Sequence, residues 1–251
     1  MKIFFVKYEA HNKKTQEWND LFEKNENIQR FLVDTPNEAE MIVCAGGDGT
    51  LLKTVKTYID FDLPIYGINA GTLGFLMNDI EPYNFIVDVC EREFFNTKTL
   101  RTIKATVKRN HHLATKSYYA FNEVAIGGTM MDWIDFSVKS KVLPESFKGG
   151  GIIISTPQGS TGISVNNQGV VIPIDSKQWV VTGDKTNMHL STVIKPRFTE
   201  VSVESRQSVT CWIDGVNGDV IADIETVQLE KGPKVQICFS DINEFISKRY
   251  K

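Results

Sequence analysis

The stretch VCAGGDGTLL, Val43–Leu52, joins a short apolar run to a segment with helical spacing. Met41–Ala45 is a continuous apolar run, typical of a strand buried in a parallel sheet. The glycines that follow permit close backbone approach. We expect a helix to begin near Thr50, with its free N–H groups directed at the loop. The stretch therefore predicts a strand–loop–helix unit whose glycine loop attracts phosphate groups.

Asp48 is the one carboxylate in this loop. A negative charge opposes phosphate binding, but it suits a loop in which a hydroxyl must be held for attack on a phosphate. The alternative is a glycine-rich turn in which Asp48 only caps a helix. The pattern matches neither GxxxxGK[ST] nor GxGxxG, so the two commonest phosphate loops are excluded.

Outward from this loop, strand and helix patterns alternate over the first ~95 residues. Strands are predicted at Ile3–Lys7, Ile28–Val33, Met41–Ala45 and Pro64–Asn69, and helices at Thr15–Lys24, after GGDGT and from Pro82. This alternation predicts an N-terminal α/β domain, a Rossmann-like parallel sheet covered on both faces.

The composition changes at about Thr99, and short apolar segments separated by Gly, Asn and Asp continue to Phe239. They predict an all-β, antiparallel, β-sandwich-like C-terminal domain, in which GVVIPI at 169–174 is one of the strands. Asp241–Lys251 has the pattern of a short helix that returns to the first domain. The predicted boundaries are 1–98, 99–239 and 240–251.

Composition excludes several classes of protein. The chain has 251 residues and a net charge of −3, without the basic excess of nucleic-acid binding proteins. No segment has the ~18 consecutive apolar residues of a membrane span, and the N-terminus lacks signal-peptide features. The four cysteines are far apart among apolar residues, which predicts buried, reduced thiols and a cytoplasmic protein. Adjacent His111 and His112 do not favour a metal site.

Two further stretches have polar residues suited to a nucleotide. GGGIIISTPQGSTGIS, Gly149–Ser164, is a buried strand followed by a loop in which Thr156, Ser160 and Thr161 offer hydroxyls. In FNEVAIGG, Asn122 and Glu123 are polar neighbours inside an apolar strand, where buried polar groups need partners and a ribose diol is a natural partner for the carboxylate. The alternatives are an ordinary hairpin loop for the first stretch and a solvated strand end for the second.

Together these stretches resemble the NAD kinase family, within the diacylglycerol kinase and phosphofructokinase superfamily. The resemblance is carried by GGDGTLL, GINAGTLGFL at 67–76, FNEVAIGG at 121–128, GGGIIISTPQGSTG at 149–162 and WIDG at 212–215. It implies transfer of the ATP γ-phosphate to the 2′-hydroxyl of the adenosine ribose of NAD, which makes NADP. It also implies a divalent cation, usually Mg²⁺, that arrives with ATP, and a homodimer or homotetramer.

The resemblance assigns roles residue by residue. Asp48 would be the catalytic residue that meets the 2′-hydroxyl. The expected phosphate and ATP contacts are Gly46, Gly47, Gly49 and Thr50. The expected NAD contacts are Asn122, Glu123, Ser160, Thr161, Gly162 and Ser164.

The chain departs from the family pattern in the dinucleotide pocket. Gly150 stands where an aspartate is frequent, and Ile163 stands where a tyrosine is frequent. We therefore expect Gly150→Asp to tighten NAD binding by restoring a carboxylate. The departures favour one alternative function, a homologue with weak or no kinase activity that binds a dinucleotide or another adenine nucleotide. A lipid or sphingoid kinase is a further alternative, disfavoured by the polar STPQGSTG loop.

Overall fold

A computed structural model describes residues 1–72, 74–128, 133–205, 208–215 and 218–249. The chain divides into two compact units. Met1–Leu100, with the C-terminal stretch from Lys234, forms unit 1, and Arg101–Pro233 forms unit 2. The chain changes units within two strands, β4 (Asn96–Arg109) and β15 (Ile224–Phe239). The domain boundaries inferred above from the sequence pattern stay a prediction.

Unit 1 contains the predicted parallel sheet. Its strands are β1 (Ile3–Val6), β2 (Met41–Gly46), β3 (Ile65–Asn69) and the C-terminal part of β15, paired in that order. All four pair in parallel, with Phe5 opposite Val43, Val43 opposite Tyr66, and Ile65 opposite Ile237. Every residue of β2 and β3 is buried, as expected for a strand covered on both faces.

The helices of unit 1 cover this sheet. They are α1 (Lys13–Lys24), α2 (Glu26–Gln29), α3 (Asp48–Tyr58), α4 (Pro82–Asn84), which continues as a wider helical turn over Phe85–Glu91, and α6 (Ile242–Arg249). The side chain of Asn12 caps α1 by accepting the Thr15 N–H. Trp18 and Phe22 of α1 pack edge-on against Phe85, at centroid separations of 5.8 and 5.6 Å.

The predicted strand at Ile28–Val33 is wrong. Residues 26–29 form α2, in which the Asn25 side chain accepts the Asn27 N–H and fixes a helical start. Ile28 is buried from this short helix, and only Leu32 forms a strand-like bridge, to Ile3. The apolar run thus reflects burial in a helical turn rather than a strand. The predicted C-terminal helix is present as α6, where Phe245 packs on Phe239; the last two residues lie outside the described part.

Unit 2 consists of antiparallel strands in two groups. The first group contains β4, β5 (Thr115–Ala120), β7 (Ile134–Lys139), β8 (Ser146–Gly149), β12 (Thr199–Glu204) and the N-terminal part of β15. The second has the order β11 (Ser191–Ile194), β10 (Trp179–Asp184), β9 (Gly151–Ser155), β6 (Glu123–Gly128), β13 (Val209–Ile213) and β14 (Asp219–Ile221). Buried side chains of both groups form one core. The predicted fold class is therefore confirmed.

GVVIPI at 169–174, predicted as a strand, is an irregular segment. Ile172 and Ile174 are buried, which explains the apolar pattern, but the Ile172 N–H is bonded to the Ser160 hydroxyl rather than to a neighbouring strand. Pro173 has no N–H to offer a ladder. Elsewhere in the described residues, the four cysteines are buried and free of disulfides, as predicted, and no helix combines the length and apolar character needed to cross a membrane.

Candidate active site

The glycine loop of unit 1 lies between β2 and α3. The helix begins at Asp48 with Gly47 as its N-cap, two residues before the predicted start, because the Gly47 carbonyl already accepts the N–H groups of Thr50 and Leu51. Asp48 is thus in the first turn of α3, where its negative charge interacts favourably with the positive end of the helix dipole.

The glycines of this loop differ in surroundings. A Cβ at Gly46 would lie 2.1 Å from the Thr50 Oγ1, so this glycine lets the Thr50 side chain pack over the end of β2. A Cβ at Gly47 or Gly49 would meet nothing within 4 Å among the described residues. Gly46 and Thr50 therefore pack on each other, whereas Gly47 and Gly49 leave open space beside their backbone.

The Asp48 carboxylate joins this loop to the segment after β3. Its Oδ2 accepts the Phe75 N–H at 2.9 Å, and its Oδ1 accepts the Leu76 N–H at 3.0 Å. The two amides fix the plane of the carboxylate.

Asn69, which was absent from the predicted site, holds the same segment. Its side chain donates to the Asp79 Oδ1 at 2.6 Å and accepts the Gly71 N–H at 3.0 Å. The Ala70 N–H donates to the Gly46 carbonyl at 2.8 Å, which ties the two loops together. The signal in the sequence is its position at the end of a buried strand, two residues before Gly71.

In unit 2, Asn122 and Glu123 are held by Asp214 of the WIDG segment. The Asp214 Oδ2 accepts the Phe121 N–H at 2.9 Å, and its Oδ1 accepts the N–H groups of Asn122 and Glu123 at 2.6 and 3.3 Å. Asp214 and Gly215 have φ of 57° and 73°, left-handed values that an Asp-Gly pair tolerates. Asp214 is a positioning residue outside the predicted site, although it lies in WIDG, one of the stretches that carry the family resemblance.

Burial separates the Glu123 side chain from water. It is 6% exposed, and its pKa is raised to about 8, first by burial and then by the charge of Asp214. Burial also raises the pKa of Asp214, to about 6, against the lowering effect of its three amide donors. Glu123 therefore carries a proton at neutral pH, and a carboxylic acid can both donate and accept a hydrogen bond.

The loop after β9 packs against the Asn122–Glu123 pair. Thr156 donates its hydroxyl to the Phe121 carbonyl at 2.7 Å, and its N–H to the Asn122 carbonyl at 2.8 Å. A Cβ at Gly159 would lie 2.2 Å from the Asn122 carbonyl oxygen, so only glycine fits there.

The predicted ligands in this loop fall into two groups. Ser160 is fully buried; its hydroxyl donates to the Pro157 carbonyl and accepts the Ile172 N–H. Ser164 in α5 (Ile163–Asn166) is also fully buried. Thr161 and Gly162, in contrast, are accessible, and a Cβ at Gly162 would lie 3.5 Å from the Glu123 Oε2. The structure thus brings together Glu123 and Gly162 and turns both serines inward.

A cavity of about 460 Å³ lies beside Glu123 in unit 2. Its lining includes Glu123, Gly150, Ile163, Asp184, Trp212 and Gly215. Both positions at which the sequence departs from the family pattern, Gly150 and Ile163, are among them. Among the described residues, no three His, Cys, Asp or Glu side chains converge as metal ligands would.

Residues 4–89 match the family model described as the ATP-NAD kinase N-terminal domain. The chain is 34% identical to the NAD kinase of Sulfurimonas denitrificans over 204 residues, which cover 79% of this chain and 71% of that one. The chain belongs to the NAD kinase family. It is also 32% identical to the NAD kinase of Zymomonas mobilis over 149 residues, which span 56% of that relative.

Two solved structures share the fold. Yeast NADH kinase, complexed with NADH, superposes with a TM-score of 0.79 at 14% identity, covering 99% of this chain and 86% of the yeast chain. An NAD kinase from Archaeoglobus fulgidus, in complex with ATP, superposes with a TM-score of 0.71 at 20% identity, covering 99% and 98% of the two chains. At these identities the likeness establishes the architecture of this member of the NAD kinase family.

Proposed function

We propose that this protein is an ATP-dependent NAD kinase that makes NADP. The single observation that carries the proposal is the Asp48 carboxylate, fixed by the Phe75 and Leu76 amides at the start of α3, beside the open backbone of Gly47 and Gly49. A loop that only held phosphate would gain nothing from a carboxylate oriented in this way, whereas a phosphotransferase needs one to orient a hydroxyl.

In this reaction the 2′-oxygen of the adenosine ribose bonds to the γ-phosphorus of ATP, and the bond from that phosphorus to the β,γ-bridging oxygen breaks. Asp48 orients the 2′-hydroxyl and accepts its proton as the new bond forms, and ADP leaves. The open backbone at Gly47 and Gly49 and the N-terminal end of α3 receive phosphate groups. A divalent cation carried by ATP supplies charge neutralisation at the transferred group.

Unit 2 supplies the proposed contacts to NAD. Protonated Glu123 suits a ribose diol because it donates to one hydroxyl and accepts from the other. The Asn122 Oδ1 is buried without a partner among the described residues, so it can accept a hydrogen bond from the ligand. Thr161 and Gly162 lie on the accessible side of the loop, while Ser160 acts by holding that loop.

The wider setting belongs to the same proposal. The protein would act in NADP biosynthesis as a homodimer or homotetramer, without nucleic-acid or membrane partners. A cytoplasmic location is supported by the four buried cysteines, none of which forms a disulfide.

The test is a purified-protein assay with ATP, Mg²⁺ and NAD, in which an NADP-specific dehydrogenase detects the product. NADH and inorganic polyphosphate replace NAD and ATP in parallel reactions. Wild-type protein is expected to form NADP, and Asp48→Asn to lower turnover about a hundredfold or more, because it removes a positioned proton acceptor. Asp60→Asn, an exposed carboxylate beyond the end of α3, is the matched control and should retain wild-type turnover. Turnover of Asp48→Asn within severalfold of wild type would contradict the role of Asp48.

A second candidate, a dinucleotide-binding protein without kinase activity, is favoured by the cavity wall. Ile163 is 42% exposed at the cavity and offers no aromatic ring or hydroxyl to a ligand. The assay separates the two candidates: NAD that raises the melting temperature without any NADP formation would support the binding protein.

A further inference from the structure

Asp184 was not among the predicted site residues, yet it lines the cavity beside Glu123. It is the last residue of β10 and lies opposite Gly151 of β9 in the antiparallel ladder. Its backbone carbonyl accepts the Gly150 N–H at 2.9 Å, which fixes the backbone of Asp184 against the glycine segment.

Gly150 leaves the space that the Asp184 side chain uses. A Cβ at Gly150 would lie 3.2 Å from the Asp184 Oδ2 and 3.2 Å from its carbonyl oxygen, tighter than ordinary van der Waals contact. A glycine at 150 and a carboxylate at 184 therefore form a matched pair. Asp184, on the neighbouring strand β10, carries a negative charge close to position 150, where the family frequently has an aspartate and this chain has glycine.

The Asp184 carboxylate is half-buried, and the described residues give it no hydrogen-bond or ion-pair partner. A carboxylate drawn partly out of water costs free energy unless a donor compensates it. Apart from Glu123 and Asn167, the cavity that it lines is formed by glycines and by apolar side chains, among them Ile163 and Trp212. A hydrogen-bond donor on the molecule that occupies the cavity would compensate this carboxylate when it displaces water.

The charge restricts what can bind there. A phosphate would be repelled by Asp184, whereas a hydroxyl, amine or carboxamide N–H would donate to it. The Trp212 ring and the glycines that line the same cavity suit the flat ring systems of a nucleoside. We infer that Asp184 binds a neutral donor group of a nucleoside portion of NAD, across the backbone of Gly150. The inference deepens the proposed function and rests on NAD being the ligand of this cavity.

The geometry reverses the expectation for Gly150→Asp. A second carboxylate at 150 would meet Asp184 at close range, and two like charges in one small site oppose each other. We expect Gly150→Asp alone to weaken NAD binding. The double variant Gly150→Asp with Asp184→Gly moves the carboxylate from the end of β10 to the residue before β9 and should recover most of the affinity.

The experiment measures NAD binding directly by titration calorimetry on the full chain, so it does not depend on turnover. Asp184→Asn is expected to raise the Kd for NAD about tenfold, the scale of one hydrogen bond to a charged group, and to leave the Kd for ATP, measured in the same way, within twofold. Asp175→Asn, an exposed carboxylate of unit 2, is the matched control and should leave both constants unchanged. Melting temperatures show whether each variant is folded.

The outcomes distinguish this inference from the proposed function. If the wild type makes NADP and Asp184→Asn binds NAD within twofold of wild type, the inference fails and the proposed function stands. If the wild type binds NAD without making NADP, and Asp184→Asn weakens that binding, the inference stands and the proposed function fails. A double variant that binds no better than Gly150→Asp alone would overturn the matched pair, and a wild type that does not bind NAD would overturn both proposals.

Discussion

The carboxylates of Asp48 and Glu123 occupy opposite electrostatic environments. Asp48 accepts two backbone N–H groups at the positive end of a helix, an arrangement that stabilises negative charge. Glu123 is buried near another carboxylate, Asp214, and its pKa is raised to about 8. The contrast shows how one kind of side chain can serve two purposes, with the ionised group orienting a nucleophile and the neutral acid binding a diol.

The largest expected effect is the difference in kcat between two variants, one with Asp48 and one with Glu123 replaced by the corresponding amide. Asp48→Asn should reduce kcat about a hundredfold, whereas Glu123→Gln should reduce it less than about fivefold, because a neutral amide replaces an acid that is already neutral. Steady-state kinetics with NAD and ATP at pH 7 measure both. Equal losses of kcat in the two variants would show that Glu123 also works as an ionised group, and the contrast would break down.

The next effect concerns the carboxylate that positions Glu123. Asp214→Asn keeps a residue type that tolerates a φ of 57°, so it changes the side-chain contacts and little else. Its NH₂ group cannot accept the Phe121 N–H, and the free energy of unfolding should fall by about 2 kcal/mol. Urea denaturation measures this change, with Asp175→Asn as the control. An unchanged midpoint would mean that the three amides do not depend on the charge of Asp214.

The last effect is a dependence of stability on pH, which appears only when the wild type and Glu123→Gln are compared over a range of pH. Because the pKa of Glu123 is raised from 4.5 to about 8 by folding, the folded state holds a proton that the unfolded state releases between these values. The stabilising contribution of Glu123 is thus fully present below about pH 4.5 and is lost as pH rises towards 8. Glu123→Gln should gain about 3 kcal/mol relative to wild type between pH 5 and pH 8, since each unit of pH in this range is worth about 1.4 kcal/mol. Thermal unfolding at several pH values tests this, and parallel curves for the two proteins would contradict a raised pKa.

The sequence predicted those parts of the fold that depend on local pattern. The all-apolar run Met41–Ala45 and the glycine loop identified the strand and helix that carry Asp48. The same reasoning failed at Ile28–Val33 and at 169–174. The buried apolar residues there belong to a short helix in the first case and to an irregular segment in the second. The Asn25 cap favoured a helix in the first place, and Pro173 disfavoured a strand in the second, although both segments have an apolar pattern like that of a strand.

The candidate site was only partly predictable for a related reason. Asp48, Asn122 and Glu123 lie in short motifs, so their residue types and spacing suggested roles before the fold was known. Asp214 and Asp184 act on residues far from them in sequence, through the pairing of β13 with β6 and of β10 with β9. Strand register decides such contacts, and composition or periodicity does not contain it.

The long strand β15 has a consequence for the order in which the chain can fold. Its C-terminal part supplies the parallel neighbour of β3, and Asn78 donates to the Cys238 carbonyl and accepts the Ser240 N–H. Unit 1 therefore begins with the first residues of the chain but lacks a strand until residues 234–239 have been synthesised. During translation, one edge of β3 therefore has no partner strand until all of unit 2 has been synthesised. A chain that stops before Lys234 would expose that apolar edge, which is buried in the folded protein, to other molecules.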